Sequence, residues 1–296
     1  MNPVLPIDLS DGLQLDTQLA RSIGESLSDE YRLAEPFPHI VLDNFLPLSL
    51  VAGLQERFPA QPLKSDVIYD EGYLGYHKRQ IAPADCDEYC RHAFDFFNSA
   101  PFLAFLEGLS SIQGLLSDPY FEGGGFHEIA TGGKLGIHAD FRINKKLHLN
   151  RRINVIVYLN EDWKDEYNGA LELWNRDMSA KVKGIPPISN RCVIFNTDAH
   201  SYHGHPDPLT SPPGVFRRSL ALYYYTASKA VYDETPDFGT MYRARPYDSA
   251  STKREATKLR MQQYIAQSVP PVLLRYLRSG LQRVKHRASR ESETPS

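Results

Sequence analysis

A mainly β protein with flanking helices, its core a jelly roll, is the fold class this sequence predicts, and three observations carry it. From about residue 119 the chain breaks into short extended runs, 126–130, 136–141, 152–159, 170–174, 192–195 and 219–225, separated by Gly, Pro, Asn and Asp. Many short strands at such spacing indicate a sandwich or barrel. Ahead of them, apolar residues recur at helical spacing over 48–58 and 88–109. Finally, 296 residues with 42% hydrophobic and 23% charged side chains suffice for one large core with helical additions. The expected organisation is a helical and strand flank over 1–118, a jelly-roll core over 119–228 and a helical extension over 229–296.

In chain order, 17–24 has room for a turn or two of helix. The apolar run 37–46 reads as a short buried strand closed by a turn, flanking the main sheet, and 48–58 as a helix ended by Pro59. His39, at the start of that strand, is expected to be a hydrogen-bonded structural histidine. Ala93, Phe94, Phe97, Phe102, Phe105, Leu106 and Leu109 place an aromatic stripe on a core-facing helix broken near Pro101. Gly123-Gly124-Gly125 lacks the Lys-Ser/Thr ending of a phosphate loop. Past Pro270-Pro271, Leu273, Leu274, Leu277, Leu281 and Val284 recur at three- and four-residue steps among arginines, which reads as a basic amphipathic helix over 272–287. Packing on the rest of the chain is favoured over contact with an anionic membrane, because Gly280 weakens a free helix. The polar end, 289–296, is expected to be disordered.

Composition narrows the function. A formal net charge of −3 gives no basic field, so no nucleic-acid partner is expected. Cys86, Cys90 and Cys192 form no disulfide framework, and the first residues lack a basic region followed by a long apolar run. A cytoplasmic location is the expectation.

The chemistry is concentrated in Gly132-Gly133-Lys134-Leu135-Gly136-Ile137-His138-Ala139-Asp140. In an extended segment positions i and i+2 face one side, so His138 and Asp140 can bind one metal while Ala139 turns away. A His and a carboxylate are two corners of the 2-His-1-carboxylate triad that holds non-heme Fe(II) and leaves positions open. The third corner must come from His200, His203 or His205, of which His203 and His205 share strand parity. Asn154, Ile156 and Tyr158 share a face of the run 152–159, which puts the Tyr158 hydroxyl either near a bound acid or at solvent. Further on, over 217–223, Arg217, Ser219, Ala221 and Tyr223 share a face, where an Arg and a Ser two residues on can grip a carboxylate.

The assembled order, His138-x-Asp140, Tyr158-Leu159-Asn160, Gly169-x-Leu171, His203, Arg217-x-Ser219, resembles the Fe(II)- and 2-oxoglutarate-dependent dioxygenases, in particular their prolyl 4-hydroxylase-like branch. The resemblance covers roughly residues 120–226. It implies a double-stranded β-helix, Fe(II) ligated by His138, Asp140 and His203, and 2-oxoglutarate held through its distal carboxylate by Arg217 and Tyr158, with Ser219 beside them. Motif spacing selects His203 over His205 and Arg217 over Arg218. The implied reaction hydroxylates an unactivated C–H bond of a prolyl residue or small molecule with dioxygen, releasing succinate and CO2, with ascorbate as an accessory reductant. Related halogenases replace the carboxylate ligand by a small residue, whereas this chain keeps Asp140, so oxygen insertion or desaturation is expected rather than halogenation. The competing readings are a cupin-like binding module and a hydrolase using His/Asp/His-bound zinc.

Overall fold

The computed structural model describes residues 2–70, 75–227 and 240–268, so the helix expected over 272–287 and the polar end lie outside the described residues. Helix α1 (Thr17–Ser26) starts where Asp16 accepts from the Leu19 amide at 2.8 Å, and α2 (Ser28–Arg32) follows. Strand β1 (His39–Leu42) and helix α3 (Leu48–Glu56) match the apolar runs that predict them. Next comes a hairpin of β2 (Val67–Tyr69), too short to be legible as a strand, and β3 (Tyr76–Ile81), too polar to be. Asp87 caps α4 (Glu88–Phe97) by accepting from the Cys90 amide at 2.8 Å. The aromatic stripe then continues on α5 (Ala100–Ser110), whose first turn holds Pro101; the break falls just before the proline, where its missing N–H costs nothing.

The remaining strands are β4 (Leu116–Ser117), β5 (Gly125–Ala139), β6 (Ile143–Asn144), β7 (Leu149–Tyr158), β8 (Leu171–Trp174), β9 (Lys181–Ile185), β10 (Cys192–Asn196), β11 (His203–His205), β12 (Arg217–Thr226) and β13 (Met241–Tyr242), before helix α6 (Ala250–Ser268). They form a nearly closed antiparallel barrel, the jelly roll the sequence predicts. One layer runs β1-β10-β7-β12-β5 and continues through β3 to β2, while the other runs β13-β5-β11-β8-β9.

Two expectations need correction. The runs 126–130 and 136–141 are one strand, β5, whose first half pairs with β12 and β3 and whose second half pairs with β11 and β13. It passes between layers at Gly132, with φ +81°, and at Gly133, where a Cβ would lie 2.4 Å from Ile129 Cγ2 and 2.8 Å from the Tyr76 carbonyl oxygen. β1, moreover, does not merely flank the sheet: it pairs with β10 from His39–Phe195 to Leu42–Cys192 and extends it.

Strand parity divides the burial. Ile153, Val155, Val157, Leu220, Leu222 and Tyr224 point out of the first layer into a core shared with Phe94, Phe97, Phe102 and Phe105 of α4 and α5. The alternate residues point between the layers, so the helices stiffen the wall on which the inward side chains stand. His39 is buried as expected, its Nδ1 2.9 Å from the Phe37 carbonyl oxygen and its Nε2 3.1 Å from Lys183 Nζ.

Candidate metal and dicarboxylate site

The second half of β5 places His138 directly opposite His203 of β11, on the face turned into the barrel. Asp140 follows at the strand end, its Oδ1 3.7 Å from His138 Nε2 and its Oδ2 3.4 Å from His203 Nε2. One ligand atom from each of these three residues lies within 4.8 Å of the other two. Among the described residues no other group of His, Cys, Asp and Glu comes together in this way. Each imidazole has its other nitrogen committed: His138 Nδ1 donates to the Gly136 carbonyl at 2.8 Å and His203 Nδ1 to the Ser201 carbonyl at 2.9 Å. That choice of tautomer turns both Nε2 lone pairs toward Asp140, as a metal requires.

Asp140 is held by two residues that the sequence did not single out for it. Arg151 donates to Asp140 Oδ2 at 3.0 Å, Asn154 Nδ2 donates to the same oxygen at 2.7 Å, and Arg151 Nε donates to Asn154 Oδ1 at 2.8 Å. Burial opposes the carboxylate's charge, but Arg151, with the two histidines, keeps Asp140 well below the usual carboxylate range. Arg151 itself is sandwiched, 3.4 Å over the Tyr223 ring and 4.6 Å over Phe141. Alternation alone would turn it outward, since Asn154 and Ile156 are the inward positions. A bulge between Tyr224 and Tyr225 shifts the β7–β12 register, so that Arg151 pairs with Tyr225 and joins the inward face.

Burial pushes His203 down to about 4 against the opposing pull of Asp140, so it is neutral and ready to ligate near neutral pH. His200 is not part of this cluster: it sits outside the cavity, beside Tyr202. His205 is inside, turned to the same side as His203, but it is not one of the three clustered residues.

The clustered residues open on a cavity of about 190 Å³. Its far wall is the inward face of β12, Arg217, Ser219, Ala221 and Tyr223, which is the face that strand parity predicts. Arg217 is buried; its Nε donates to the Gly169 carbonyl at 2.8 Å and one terminal nitrogen donates to the Tyr158 hydroxyl at 3.1 Å. Gly169 has φ +76°, and a Cβ there would press on Leu209 Cδ2 at 2.5 Å and on Arg217 Cδ at 3.1 Å. The Tyr158 hydroxyl is therefore buried on Arg217 and does not reach solvent. Arg218 faces the other way and pairs with Glu128 at 2.8 Å.

Four further lining residues come from elements that carry no motif: Tyr69 of β2, Lys78 of β3, and Thr240 and Tyr242 at β13. Tyr242 pairs with His138 across the sheet, their rings 5.4 Å apart. Burial pushes the Lys78 ammonium down to about 8, partly offset by Asp140. His127, paired with Ser219, lines the cavity beside it. Only tertiary pairing brings these residues to the site, and no spacing signal would have found them.

Residues 124–225 match the family model of the 2OG-Fe(II) oxygenase superfamily. A comparison with curated proteins returns no match. Similar solved structures include a prolyl-4-hydroxylase from Pseudomonas putida, 20% identical, covering 69% of this chain and 98% of its own, with a TM-score of 0.49. A prolyl hydroxylase from Trichoplax adhaerens, in complex with a peptide fragment of a hypoxia inducible factor oxygen degradation domain, is 17% identical, with coverages of 74% and 96% and a TM-score of 0.48. A third, among prolyl 4-hydroxylases from Phytophthora capsici, is 16% identical, with coverages of 97% and 91% and a TM-score of 0.46. The match of 124–225 spans the strands that carry the clustered histidines, Asp140 and Arg217, and it leaves the cupin-like and zinc-hydrolase readings without support. Over residues 124–225 the chain is thus similar to the 2OG-Fe(II) oxygenase superfamily, and that match supports a dioxygenase that uses Fe(II) and 2-oxoglutarate.

Proposed function

We propose that His138, Asp140 and His203 bind the Fe(II) of this dioxygenase, and that Arg217, with Tyr158 and Ser219, receives the distal carboxylate of 2-oxoglutarate. The observation that carries the reading is the convergence of three ligand atoms within 4.8 Å. The donor set fits the metal: two neutral imidazoles and one carboxylate suit Fe(II) and leave positions for the keto acid and dioxygen. When bound, iron and 2-oxoglutarate supply the oxidising chemistry, in which the keto acid becomes succinate and CO2 while a substrate C–H bond gains oxygen.

The chain's own residues do the positioning. Arg151 and Asn154 hold the Asp140 carboxylate ionised and aimed between the histidines, and the Gly136 and Ser201 carbonyls fix both imidazoles. With one guanidinium edge fixed on Gly169 and Tyr158, Arg217 keeps a terminal nitrogen for a carboxylate. Ser219, paired with Tyr158 across the sheet and lining the cavity, adds a hydroxyl. The substrate of the reading is a prolyl residue or a small molecule bearing an unactivated C–H bond, with ascorbate keeping the iron reduced. The buried, unpaired thiols of Cys86, Cys90 and Cys192 support a reducing, cytoplasmic setting.

Anaerobic titration with Fe(II) tests the ligand set. One ion per chain is expected for the unaltered protein, with binding lost in His138→Ala, Asp140→Ala and His203→Ala. Retention of that ion by His203→Ala would overturn the assignment.

A further inference from the structure

His205 is a buried polar group of the cavity to which the reading so far gives no role. It is 3% exposed, it lines the cavity with Arg217, and among the described residues neither of its ring nitrogens has a hydrogen-bond partner. The neighbouring histidines differ: His138, His203 and His127 each have one nitrogen within 3.0 Å of a backbone carbonyl oxygen. Leaving a buried imidazole bare on both sides is costly, and such a group is retained where a ligand satisfies it. Its setting says what kind of ligand. Arg217 and Lys78 line the same cavity and are the foremost charges acting on the ring. Those two cations suit an anion, and the imidazole offers it an N–H.

We propose that His205 is a co-substrate-binding residue whose ring N–H donates to the distal carboxylate of 2-oxoglutarate, alongside Arg217. The proposal rests on the reading that Arg217 receives that carboxylate. It gives the second parity-matched histidine of His203-Gly204-His205 a role distinct from metal ligation. The strand sets the division of labour, because its two inward positions lie at different depths. His203 pairs with His138 at the metal end, and His205 pairs with Leu135, deeper along β5 toward Arg217.

The test is calorimetric titration of 2-oxoglutarate into Mn(II)-loaded protein, with Mn(II) affinity measured separately for each form. His205→Val should weaken 2-oxoglutarate binding about tenfold or more with Mn(II) affinity unchanged, and His205→Asn, which keeps a donor, should recover most of the loss. Titration with 2-oxobutyrate, which lacks the distal carboxylate, should give equal affinities in the Val variant and the unaltered protein. Unchanged 2-oxoglutarate affinity in His205→Val, or loss of Mn(II) binding in either variant, would overturn the proposal. If the unaltered Mn(II) form bound no 2-oxoglutarate, the underlying reading of Arg217 would fail instead.

Discussion

Arg217 and Arg218 are adjacent in sequence and opposite in consequence. Arg217 is buried on Gly169 and Tyr158 with its free edge in the cavity, so a carboxylate meeting it gains a charged hydrogen bond worth about 1.5–3 kcal/mol. Arg217→Ala should raise the KM for 2-oxoglutarate at least about tenfold and leave metal affinity unchanged. Arg218→Ala, which breaks the pair with Glu128 and the contacts over the Phe58 and Phe216 rings, should leave that KM where it was. Arg151 makes a different prediction, since it acts through Asp140. Arg151→Met removes the donor and the countercharge together, and metal affinity should fall by about 10- to 100-fold, the usual consequence of losing a ligand's supporting partner. A metal titration that gave equal affinities for Arg151→Met and the unaltered protein would remove Arg151 from the account.

Strand β5 holds the site together, and its bend is where sequence reasoning stopped short. The pair His138 and Asp140 was legible because alternation is a local property. The continuity of 125–139 was not, because Gly132-Gly133 reads as an end when it is a crossing between layers. A Cβ at 133 would be driven into Ile129 and the Tyr76 carbonyl oxygen. Gly133→Ala should therefore destabilise the fold by more than about 1 kcal/mol and lower 2-oxoglutarate affinity and metal affinity together, since both halves of the strand carry site residues. Denaturant unfolding alongside the two titrations checks this; a loss of stability with both affinities intact would place the bend outside the site's support. The bulge at Tyr224 and Tyr225 gives the same lesson at shorter range. Alternation located Asn154, Ile156 and Tyr158, and the slipped register that brings in Arg151 is invisible until β7 is paired with β12.

At the scale of the molecule, the jelly roll and the helical flank followed from strand spacing and the aromatic stripe, while the closure of the cavity did not. Tyr69 and Lys78 come from a hairpin far ahead of the core, and Tyr242 from a two-residue strand behind it, so only the assembled sheet makes them neighbours of His138. Assembly also sets the protein's response to acid. Burial lowers the pKa of His39, His127, His203 and His205 in the fold, His203 from 6.5 to about 4. Between about pH 6.5 and 4 the unfolded chain therefore takes up protons that the folded chain refuses, and stability falls as pH falls through that window. Asp140, held below its usual range, adds a contribution that is present above about 4 and lost as pH drops further. The metal-free protein should show a Tm that decreases steadily from pH 7 to pH 4.5, and a Tm flat over that range would contradict the burial of neutral histidines. The central claim is that His138, Asp140 and His203 hold the Fe(II) that the oxidation of 2-oxoglutarate by dioxygen requires, and succinate formation on adding dioxygen to the protein loaded with Fe(II) and 2-oxoglutarate tests it most directly. The account predicts Fe(II)-dependent succinate from the unaltered chain and none above background from Asp140→Ala or His203→Ala. Succinate at the unaltered rate from either variant would contradict it.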